Sequence, residues 1–439
     1  MKILLINSNQ FKQPWPVLPF GLCCVASTLE KAGYNVKVLD LNFIKNTGEK
    51  IDKTINNFLP DLIGVSVRNI DNGVGFNTVF LLEDIKNNVI LPLKKYNIPI
   101  ALGGGAIGIN PEEILDYFEL NYAIKGDGEQ AFLELVKRFE NKNSFKDCPG
   151  LVERKNKKII QNNPIFCVKN LDDLPFAKVY KWIDLKPYLK FNTAIPIQTK
   201  RGCALNCSYC VYNNIEGKKF RLRDPKKVAD EIEDIVKNSG INKIHFTDSV
   251  FNIPQDHCKQ VLKEIIKKKL KLEFETLGLN PKTVDRELVD LMKKAGFVSV
   301  DCGAEAASDI TLKCLNKNYN VEDLKKTAIL LKNEKIPVQW YFILGCEDET
   351  EETIKETFYF IDNHVYKWDL ANIGIGIRIY KGSPLAEKLT DKNNDLLMPF
   401  ALAPKTLSME KLKYIIKKEA LKRNNVFMYD EDETTPEFI

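Results

Sequence analysis

Short apolar stretches that alternate with helix-period stretches along most of the chain are the feature that most limits its fold. The apolar stretches of the first third are Lys2–Asn7, Asn35–Asp40, Leu62–Val67, Ile98–Gly103 and Tyr122–Lys125. Strands and helices that alternate in this way form a parallel sheet covered by helices. The pattern therefore predicts an α/β domain of the doubly wound, flavodoxin-like kind over residues 1–142.

A second series of the same kind follows a connector at 143–190, which contains a small hairpin and several prolines. Its six strand-like stretches are Ala194–Lys200, Lys243–Thr247, Leu272–Leu277, Val298–Glu305, Val338–Leu344 and Asn372–Tyr380. Six strand–helix units predict a partial (β/α)6 barrel over 191–385, because a full eight-stranded barrel needs more chain. Residues 386–439 predict a C-terminal helical extension that ends in an acidic, frayed segment from Tyr429.

Charge and hydropathy exclude several classes of protein. The 64 basic and 59 acidic residues leave a net charge of +5, which disfavours a nucleic-acid partner for a chain of 439 residues. No apolar run reaches the roughly 18 residues that a membrane span needs. The chain starts on a strand-like stretch, not on a signal peptide. We therefore expect a cytoplasmic protein whose eleven cysteines stay unpaired.

Three cysteines are grouped, whereas the other eight are scattered. Cys203, Cys207 and Cys210 have the spacing Cys-x-x-x-Cys-x-x-Cys and follow the first strand of the second series. The ends of barrel strands are where active sites of this fold class lie. Three thiolates can hold one corner of an iron–sulfur cubane and leave one iron open for chemistry. A structural zinc site that recruits His245 or Cys302 as its fourth ligand is the alternative.

This cysteine motif resembles that of the radical S-adenosylmethionine (SAM) superfamily. The resemblance implies that Cys203, Cys207 and Cys210 bind a [4Fe–4S] cluster whose open iron chelates SAM. An electron from the cluster then cleaves SAM to a 5′-deoxyadenosyl radical. Tyr209 matches the aromatic position that packs beside the adenine in this family.

The segment Gly303-Ala-Glu305 is similar to the family's glycine-x-glutamate motif. The resemblance implies that Glu305 accepts a hydrogen bond from the methionine amino group, and a carboxylate that caps the next helix is the alternative. Strand alternation puts Asp301 and Gly303 on the same inward face as Glu305. The same alternation points Arg378 inward as a candidate catalytic residue that holds a carboxylate. Its alternative is an ion pair with Asp301 or Glu305.

Two further pieces resemble the family with departures. Asp248 stands at the acidic end of the second barrel strand, although Ser249 occupies the place where a second aspartate is common. Gly345 resembles the glycine of a turn before a helix, although Cys346 and Glu347 replace the usual small residue and proline. The resemblance implies that Asp248 and Gly345 contact SAM.

Residues 1–142 resemble the cobalamin-binding domain that precedes the barrel in one branch of this superfamily. The implied cofactor contacts are Arg68, Gly103, Gly104, Gly105, Gly126 and Glu129, which follow strand ends where such a sheet binds ligands. No histidine lies in this segment, so the resemblance implies cobalamin without a histidine ligand and with Arg68 beneath the corrin. An Arg68–Asp71 ion pair, or a domain that binds no cobalamin, are the alternatives.

Together the resemblances imply an enzyme, a cobalamin-dependent radical SAM methyltransferase. The implied partners are a small-molecule or peptide substrate and an external electron donor such as flavodoxin or ferredoxin. Trp340, Tyr341 and Tyr380 are candidates for an aromatic wall around the substrate. A radical rearrangement, cyclisation or oxidation with the N-terminal domain as a lid is the alternative activity. Methylthio transfer and a non-catalytic metal-binding module are disfavoured.

Overall fold

The computed structural model describes residues 1–155, 158–389 and 395–428. Within them the chain divides into two compact units. The first unit contains residues 1–72, 80–195 and 212–223, and the second contains 73–79, 196–211 and the described residues from 224. The acidic segment from Tyr429 lies outside the described residues.

The first unit is built on one sheet. Its strands are β1 (Lys2–Asn7), β2 (Asn35–Asp40), β3 (Leu62–Ser66), β4 (Ile100–Gly103), β5 (Tyr122–Ile124), β6 (Leu151–Lys155) and β7 (Lys158–Gln161). The order is β2-β1-β3-β4-β5-β6-β7, and the first five strands are parallel. The predicted doubly wound sheet is confirmed. The hairpin expected in the connector extends this sheet as two antiparallel strands.

Helices cover both faces of this sheet because each buries one apolar face. They are α1 (Phe20–Lys31), α2 (Thr47–Phe58), α3 (Leu82–Ile85), α4 (Leu91–Lys94), α5 (Gly105–Ile109), α6 (Pro111–Phe118), α7 (Gly128–Asn141), α8 (Val179–Trp182) and α9 (Lys186–Leu189), with a π-helical turn at Lys86–Ile90. Asn46 caps α2, since its side chain accepts from the amide of Glu49. The core packs α1 and α7 against β1, β3 and β5.

The remaining strands include those of the barrel and the short pairs β9–β10 and β16–β17. They are β8 (Ile195–Ile197), β9 (Lys200–Arg201), β10 (Arg221–Leu222), β11 (Lys243–Phe246), β12 (Glu273–Thr276), β13 (Val300–Glu305), β14 (Val338–Leu344), β15 (Leu370–Ile375), β16 (Ile377–Arg378), β17 (Ala401–Leu402) and β18 (Val426–Met428). The barrel runs β8-β11-β12 and β13-β14-β15-β18. Two parallel bridges, Phe274–Phe297 and Leu279–Cys302, continue the pairing from β12. The predicted partial barrel is confirmed.

The remaining helices alternate with these strands. They are α10 (Tyr212–Glu216), α11 (Pro225–Ser239), α12 (Gln255–Lys267), α13 (Arg286–Ala295), α14 (Asp309–Cys314), α15 (Val321–Asn333), α16 (Glu351–His364), α17 (Pro384–Glu387) and α18 (Met409–Ala420). Helix α11 begins after Asp224, whose side chain accepts from the amide of Lys227, and has Pro225 in its first turn. It ends at Gly240, which has a positive φ of 72°.

The sixth barrel strand departs from the prediction. It was expected to run to Tyr380, but β15 ends at Ile375 because Gly376 adopts a φ of +72°. The chain then leaves the barrel sheet, and β16 pairs antiparallel with β17 instead. Strand alternation therefore stops before Arg378, and the predicted inward direction of Arg378 cannot be derived from it. The sequence also missed β18, a short strand that adds to β15.

Alternation along the barrel strands separates two kinds of side chain. Phe246, Phe274 and Phe297 stack with ring centroids 5.2–5.9 Å apart, in the apolar layer between sheet and helices. Trp340 belongs to the same outer layer, where it is fully buried against Phe360 of α16. The predicted aromatic wall is thus wrong for Trp340, because its side chain points toward the helices. Its neighbour Tyr341 points to the opposite face of the strand.

Candidate functional site

The three grouped cysteines lie on the loop between β9 and α10, at the end of the first barrel strand. Gly202 opens the loop with a φ of +89°, and the Ser249 hydroxyl donates to its carbonyl at 2.9 Å. Cys203 and Cys207 are buried, and Cys210 is half-buried. The second unit thus holds all three thiols on one fixed loop.

The thiols of this loop suit a cubane better than a single metal ion. Within the described residues, no three His, Cys, Asp or Glu side chains converge on one ion. A [4Fe–4S] cluster does not require such convergence, because each thiolate binds a different iron. Soft thiolate donors are also the ligand type that iron–sulfur clusters take. The donor set therefore fits the cluster that the sequence implies, and nothing in these residues supplies the zinc alternative.

Asp248 is placed differently from the expectation. Its carboxylate is fully buried, where it accepts from the amide and hydroxyl of Thr199 at 2.8 and 2.6 Å and from Lys200 Nζ at 2.9 Å. These bonds use both of its oxygens. Asp248 therefore fixes the strand from which the cysteine loop leaves, and this corrects its predicted contact with SAM.

Glu305 ends β13 in an unusual backbone conformation. Its φ is +59°, and the pairing with β14 shifts register between Gly303 and Glu305. A side chain other than glycine in this region is costly and is found where function needs it. The Tyr209 hydroxyl donates to Glu305 Oε1 at 2.7 Å, and Lys317 Nζ lies 3.0 Å from the same oxygen. Oε2 has no partner among the described residues, so it can accept from a bound ammonium group.

Lys317 is a functional candidate that the sequence did not reveal. Its side chain is only 7% exposed, and its Nζ lies over the rings of Tyr209 and Tyr319 at 5.6 and 5.3 Å. Burial alone would lower the pKa of Lys317, but the charges of Glu305 and then Tyr209 raise this pKa well above its usual value. Lys317 therefore remains a cation beside Glu305. No motif marks Lys317, because its role depends on a contact with Glu305, which lies twelve residues earlier in the chain.

Two predicted glycines are explained by close packing. A side chain at Gly303 would place its Cβ 2.9 Å from Glu305 Oε1, so Gly303 leaves room for that carboxylate. Gly345 has a φ of +124°, and a Cβ there would lie 2.9 Å from Leu412 and 3.0 Å from Gly376. The space beside Gly345 is filled by the chain itself. A contact of its backbone with the cofactor stays a prediction.

Arg378 is buried and lies among backbone carbonyls. Its guanidinium donates to the carbonyls of Ile379, Leu396 and Leu397 and stacks at 4.5 Å on the ring of Tyr380. No ion pair joins Arg378 to Asp301 or Glu305 in the part of the chain that the structure describes. These contacts give Arg378 a role in holding the segment after α17. A role at the substrate stays a prediction.

The inner face of the barrel carries a polar layer. Asp301 of β13 is nearly fully buried, and Tyr341 of β14 hydrogen-bonds to it. Burial, with the charge of Glu275 as a further cause, raises the pKa of Asp301 to about 7. Asn372 of β15 lies opposite Tyr341, is 9% exposed, and its Nδ2 has no partner among the described residues. His245 Nε2 is likewise buried without a partner there. Asn372 Nδ2 and His245 Nε2 can therefore bind a polar substrate.

In the first unit, the predicted cobalamin contacts lie at the carboxyl ends of the parallel strands. Arg68 follows β3 and is exposed, and no described acidic side chain forms an ion pair with it. The alternative Arg68–Asp71 ion pair is therefore wrong, and Asp71 is buried. A Cβ at Gly103 would meet no atom within 4 Å, so open space lies beside the end of β4. An arginine without an acidic partner and open space at this edge fit a flat ligand.

The other predicted corrin contacts serve the unit's own packing. A Cβ added to Gly104 would lie 2.4 Å from the carbonyl oxygen of Val67. A Cβ added to Gly105 would lie 2.9 Å from the carbonyl oxygen of Arg68, and one added to Gly126 would lie 2.2 Å from that of Ile165. Glu129 is buried in α7. The glycines allow neighbouring loops to approach each other, and the contact of their backbone with a corrin stays a prediction.

A buried ion pair fixes the loop that follows β5. Arg221 donates through both terminal nitrogens to Asp127, at 2.5 and 3.0 Å, and to the carbonyls of Val168 and Glu216. Asp127 is 3% exposed. Such bidentate pairs give orientation as well as energy. The sequence missed this pair, because neither residue stands in a recognisable spacing with the other.

Comparison with known proteins matches two families to separate parts of the chain. The radical SAM superfamily matches residues 197–361, and the B12 binding domain matches residues 13–136. No helix among the described residues has both the length and the apolar character to cross a bilayer.

Curated relatives resemble the chain over most of its length. An anaerobic magnesium-protoporphyrin IX monomethyl ester cyclase of Cereibacter sphaeroides is 26% identical over 415 residues, which are 89% of this chain. The chain spans 64% of the length of that cyclase. A tryptophan 2-C-methyltransferase of Streptomyces laurentii is 25% identical over 461 residues, which cover 89% of this chain and 74% of that protein.

The fold also resembles a solved structure. The radical S-adenosylmethionine methyltransferase TsrM of Kitasatospora setae, with cobalamin and a [4Fe–4S] cluster bound, superposes with a TM-score of 0.81 at 24% identity. The likeness covers 94% of this chain and 84% of that one.

Proposed function

The chain belongs to the radical SAM superfamily, in the branch with a B12-binding domain, and from this premise we propose that it is a cobalamin-dependent methyltransferase. The observation that carries the proposal is the presence of both domains in one chain that resembles a tryptophan 2-C-methyltransferase over 89% of its length. The target is a carbon atom of a small-molecule or peptide substrate.

Each predicted cofactor has residues that would hold it. Cys203, Cys207 and Cys210 would hold the [4Fe–4S] cluster, and Arg68 with the open space at Gly103 would face the cobalamin. When bound, the cluster supplies the electron that cleaves SAM, and cobalamin carries the methyl group. The chain's own residues bind and orient these groups and the substrate.

The residues around Glu305 act on the amino acid part of SAM. Glu305 presents Oε2 to the methionine ammonium, while Lys317 and Tyr209 hold Oε1 and fix the position of the carboxylate. Because Lys317 and Glu305 are both largely buried, their pairing is screened little by solvent. Lys317 is a positioning residue in this proposal.

The polar layer inside the barrel receives the substrate. Asp301, with a pKa of about 7, can take up or release a proton near neutral pH. The unpaired amide nitrogen of Asn372 offers a hydrogen-bond donor, and the unpaired Nε2 of His245 offers a second hydrogen-bonding group. A substrate with polar groups would satisfy atoms that are otherwise left without partners.

The first experiment is anaerobic reconstitution with iron, sulfide and hydroxocobalamin, followed by desalting and a visible spectrum. The proposal expects a cluster shoulder near ~400 nm together with retained corrin bands. The Cys207→Ala variant should lose the shoulder, and the Cys258→Ala variant, altered at a buried cysteine of α12, should keep it. A cluster spectrum without any retained corrin contradicts the methyltransferase proposal.

A second candidate activity is a cyclisation or oxidation without methyl transfer. The 26% identity to the magnesium-protoporphyrin monomethyl ester cyclase over 89% of this chain favours it. Incubation with SAM that carries a deuterated methyl group separates the two. A methyltransferase forms methylcobalamin with the label on reduction, whereas a cyclase releases 5′-deoxyadenosine without moving the label.

The electron donor and the cellular location are also proposed. We propose that a flavodoxin or ferredoxin delivers the electron, since cluster reduction in this superfamily needs a strong one-electron donor. We propose a cytoplasmic location, because a reducing compartment keeps the cluster thiolates and the other cysteines free.

A further inference from the structure

Two cysteines outside the cluster motif meet at the end of the barrel. Cys314 is the last residue of α14, and Cys346 follows β14 within the turn before α16. The two are 32 residues apart in sequence but lie in one apolar cluster with Leu315 and Ile377. Their side chains lie close enough to share a proton. Neither cysteine has a part in binding the cluster or SAM in the function proposed above.

Backbone amides surround the sulfur of Cys314. The amides of Asp348 and Glu347 lie close to it, as does the thiol of Cys346. Successive backbone N–H groups that point to one site stabilise an anion. These amides are held in place, because the Glu349 carboxylate accepts from the amide of Gly345 at 3.1 Å and the amide of Glu349 donates to the carbonyl of Cys346.

The two sulfur atoms differ in their protonation. The hydrogen bond from Cys346, with the amides, lowers the pKa of Cys314 to about 7 against the effects of burial and of the Asp348 charge. The same hydrogen bond, then burial and the charge of Glu349, raise the pKa of Cys346. One proton is therefore held on Cys346 while Cys314 is available as a thiolate. Cys314 is half-buried and so reachable, whereas Cys346 is 2% exposed.

We propose that Cys314 and Cys346 form a redox-active dithiol that closes to a disulfide on reaction with a low-molecular-weight disulfide. The Cys314 thiolate attacks one sulfur of that disulfide and releases one thiolate, which leaves a mixed disulfide on Cys314. Cys346 then loses its proton and attacks Cys314 Sγ, and the second small thiolate leaves. The two protein thiols are oxidised, and the small disulfide is reduced to two thiols that take up two protons.

The dithiol lies next to the loop that carries the cluster cysteines. The carbonyl of Leu315 accepts from the amide of Ser208 at 3.0 Å, and Asn316 Nδ2 donates to the carbonyl of Asn206 at 2.6 Å. Cys314 is thus followed directly in the chain by the two residues that hold this loop, Leu315 and Asn316. Oxidation of the pair would therefore act next to the loop that carries the cluster cysteines.

The test uses the reconstituted holoprotein under anaerobic conditions. It is treated with oxidised glutathione at pH 7.5, alkylated, digested without reductant and analysed by mass spectrometry. We expect a peptide linked through Cys314 and Cys346 that disappears after dithiothreitol, while iron content and cluster absorption stay unchanged. Absence of this linkage in protein with an intact cluster overturns the proposal, and so does a linkage that forms only after the cluster is lost.

Variants separate the two roles. Cys346→Ser should accumulate the glutathione adduct on Cys314, because no second thiol resolves it. Cys314→Ser should leave Cys346 unmodified, because Cys346 is buried and protonated. Cys258→Ser is the matched control and should form the linkage as the wild type does, since burial raises the pKa of Cys258 to about 12. An adduct on Cys346 in Cys314→Ser would contradict the assigned order of attack.

The rate of alkylation gives an independent measurement. Cys314 should react with iodoacetamide about tenfold or more faster than Cys258 at pH 7.5, because only a thiolate is nucleophilic. Its rate should rise with pH around a midpoint near 7. Equal rates at the two cysteines would overturn the proposal.

Discussion

At Glu305, two donors hold one carboxylate oxygen and leave the other available. Tyr209 and Lys317 both reach Oε1, and the positive φ of Glu305 turns the side chain toward them. Gly303 makes this possible, since its missing side chain leaves the space that Oε1 occupies. The predicted SAM contact therefore depends on a lysine and a glycine as much as on the glutamate.

Replacing Lys317 with methionine should weaken SAM binding. The carboxylate of Glu305 would lose its buried cation and bind an ammonium group less well, so we expect the dissociation constant for SAM to rise about tenfold, or about 1.4 kcal/mol. Loss of one partner of a buried pair should also destabilise the protein by about 3 kcal/mol. Equilibrium dialysis and thermal unfolding measure the two effects. Lys313→Met, at an exposed lysine of α14, should change neither.

Replacing Gly303 with alanine should displace the Glu305 carboxylate without removing it. The new Cβ would lie 2.9 Å from Oε1, closer than carbon and oxygen atoms pack. We expect a loss of SAM affinity of about fivefold to tenfold, or about 1 kcal/mol, measured by the same dialysis. Gly374→Ala is the control, because its Cβ would make an ordinary contact of 3.7 Å with Phe342. An unchanged affinity for Gly303→Ala would disprove this account of the glycine.

At the scale of the element, parallel register decides which side chains meet inside the barrel. Asp301 pairs in register with Gln339, and Tyr341 with Asn372, so neighbouring strands bring a carboxyl, a phenol and an amide to one inner face. Alternation sends Cys302, Trp340 and Ile373 to the helices instead. A polar layer in a buried place is costly unless something binds to it.

Replacing Asp301 with asparagine should change how stability depends on pH. The folded-state pKa of about 7 lies above the ordinary value of 3.8, so the folded protein holds the extra proton between these values. Stability of the wild type should therefore fall as pH rises from 4 to 7, by at most about 4 kcal/mol. Asp301→Asn should lack this fall.

Unfolding midpoints of wild type and Asp301→Asn between pH 4.5 and 8 check this expectation. Asp256→Asn, at an exposed position in the first turn of α12, is the control and should follow the wild-type curve. Parallel curves for Asp301→Asn and the wild type would show that Asp301 titrates at its ordinary pKa.

At the scale of the whole molecule, the two proposed cofactors are assigned to different compact units. The cysteine loop and Glu305 belong to the second unit, and Arg68 with Gly103 belongs to the first. In the first unit the Arg221–Asp127 pair fixes the loop after β5, at the same edge of the sheet. Loss of one cofactor should therefore leave the residues that hold the other in place.

Replacing Arg221 with lysine should damage the first unit selectively. A lysine cannot reproduce the bidentate pair with Asp127 or the bonds to two carbonyls, so we expect a loss of about 3 kcal/mol in stability. Corrin retention after desalting should fall, while the cluster absorption per protein stays at the wild-type level. Arg286→Lys, at a more exposed arginine of α13, is the control. A parallel loss of cluster and corrin would refute the separation of the two sites.

The sequence by itself determined the order of strands and helices and the cysteine loop. Hydrophobic periodicity and capping residues act over a few neighbouring positions, so β1, β2 and β14 and the caps of α11 can be read from local patterns. The resemblance to a family added Glu305 and the cofactors, because motif residues are also local in sequence.

Only the tertiary structure decided which distant residues meet. Three pairs of residues meet because the strand order brings their elements together. They are Lys317 with Glu305, Cys314 with Cys346, and Arg221 with Asp127. The end of β15 at Gly376 was decided in the same way, because Gly75 approaches its backbone so closely that a Cβ on Gly75 would lie 2.3 Å from Gly376. Periodicity describes one stretch at a time and carries no information on such contacts. The packing of the whole chain supplies it.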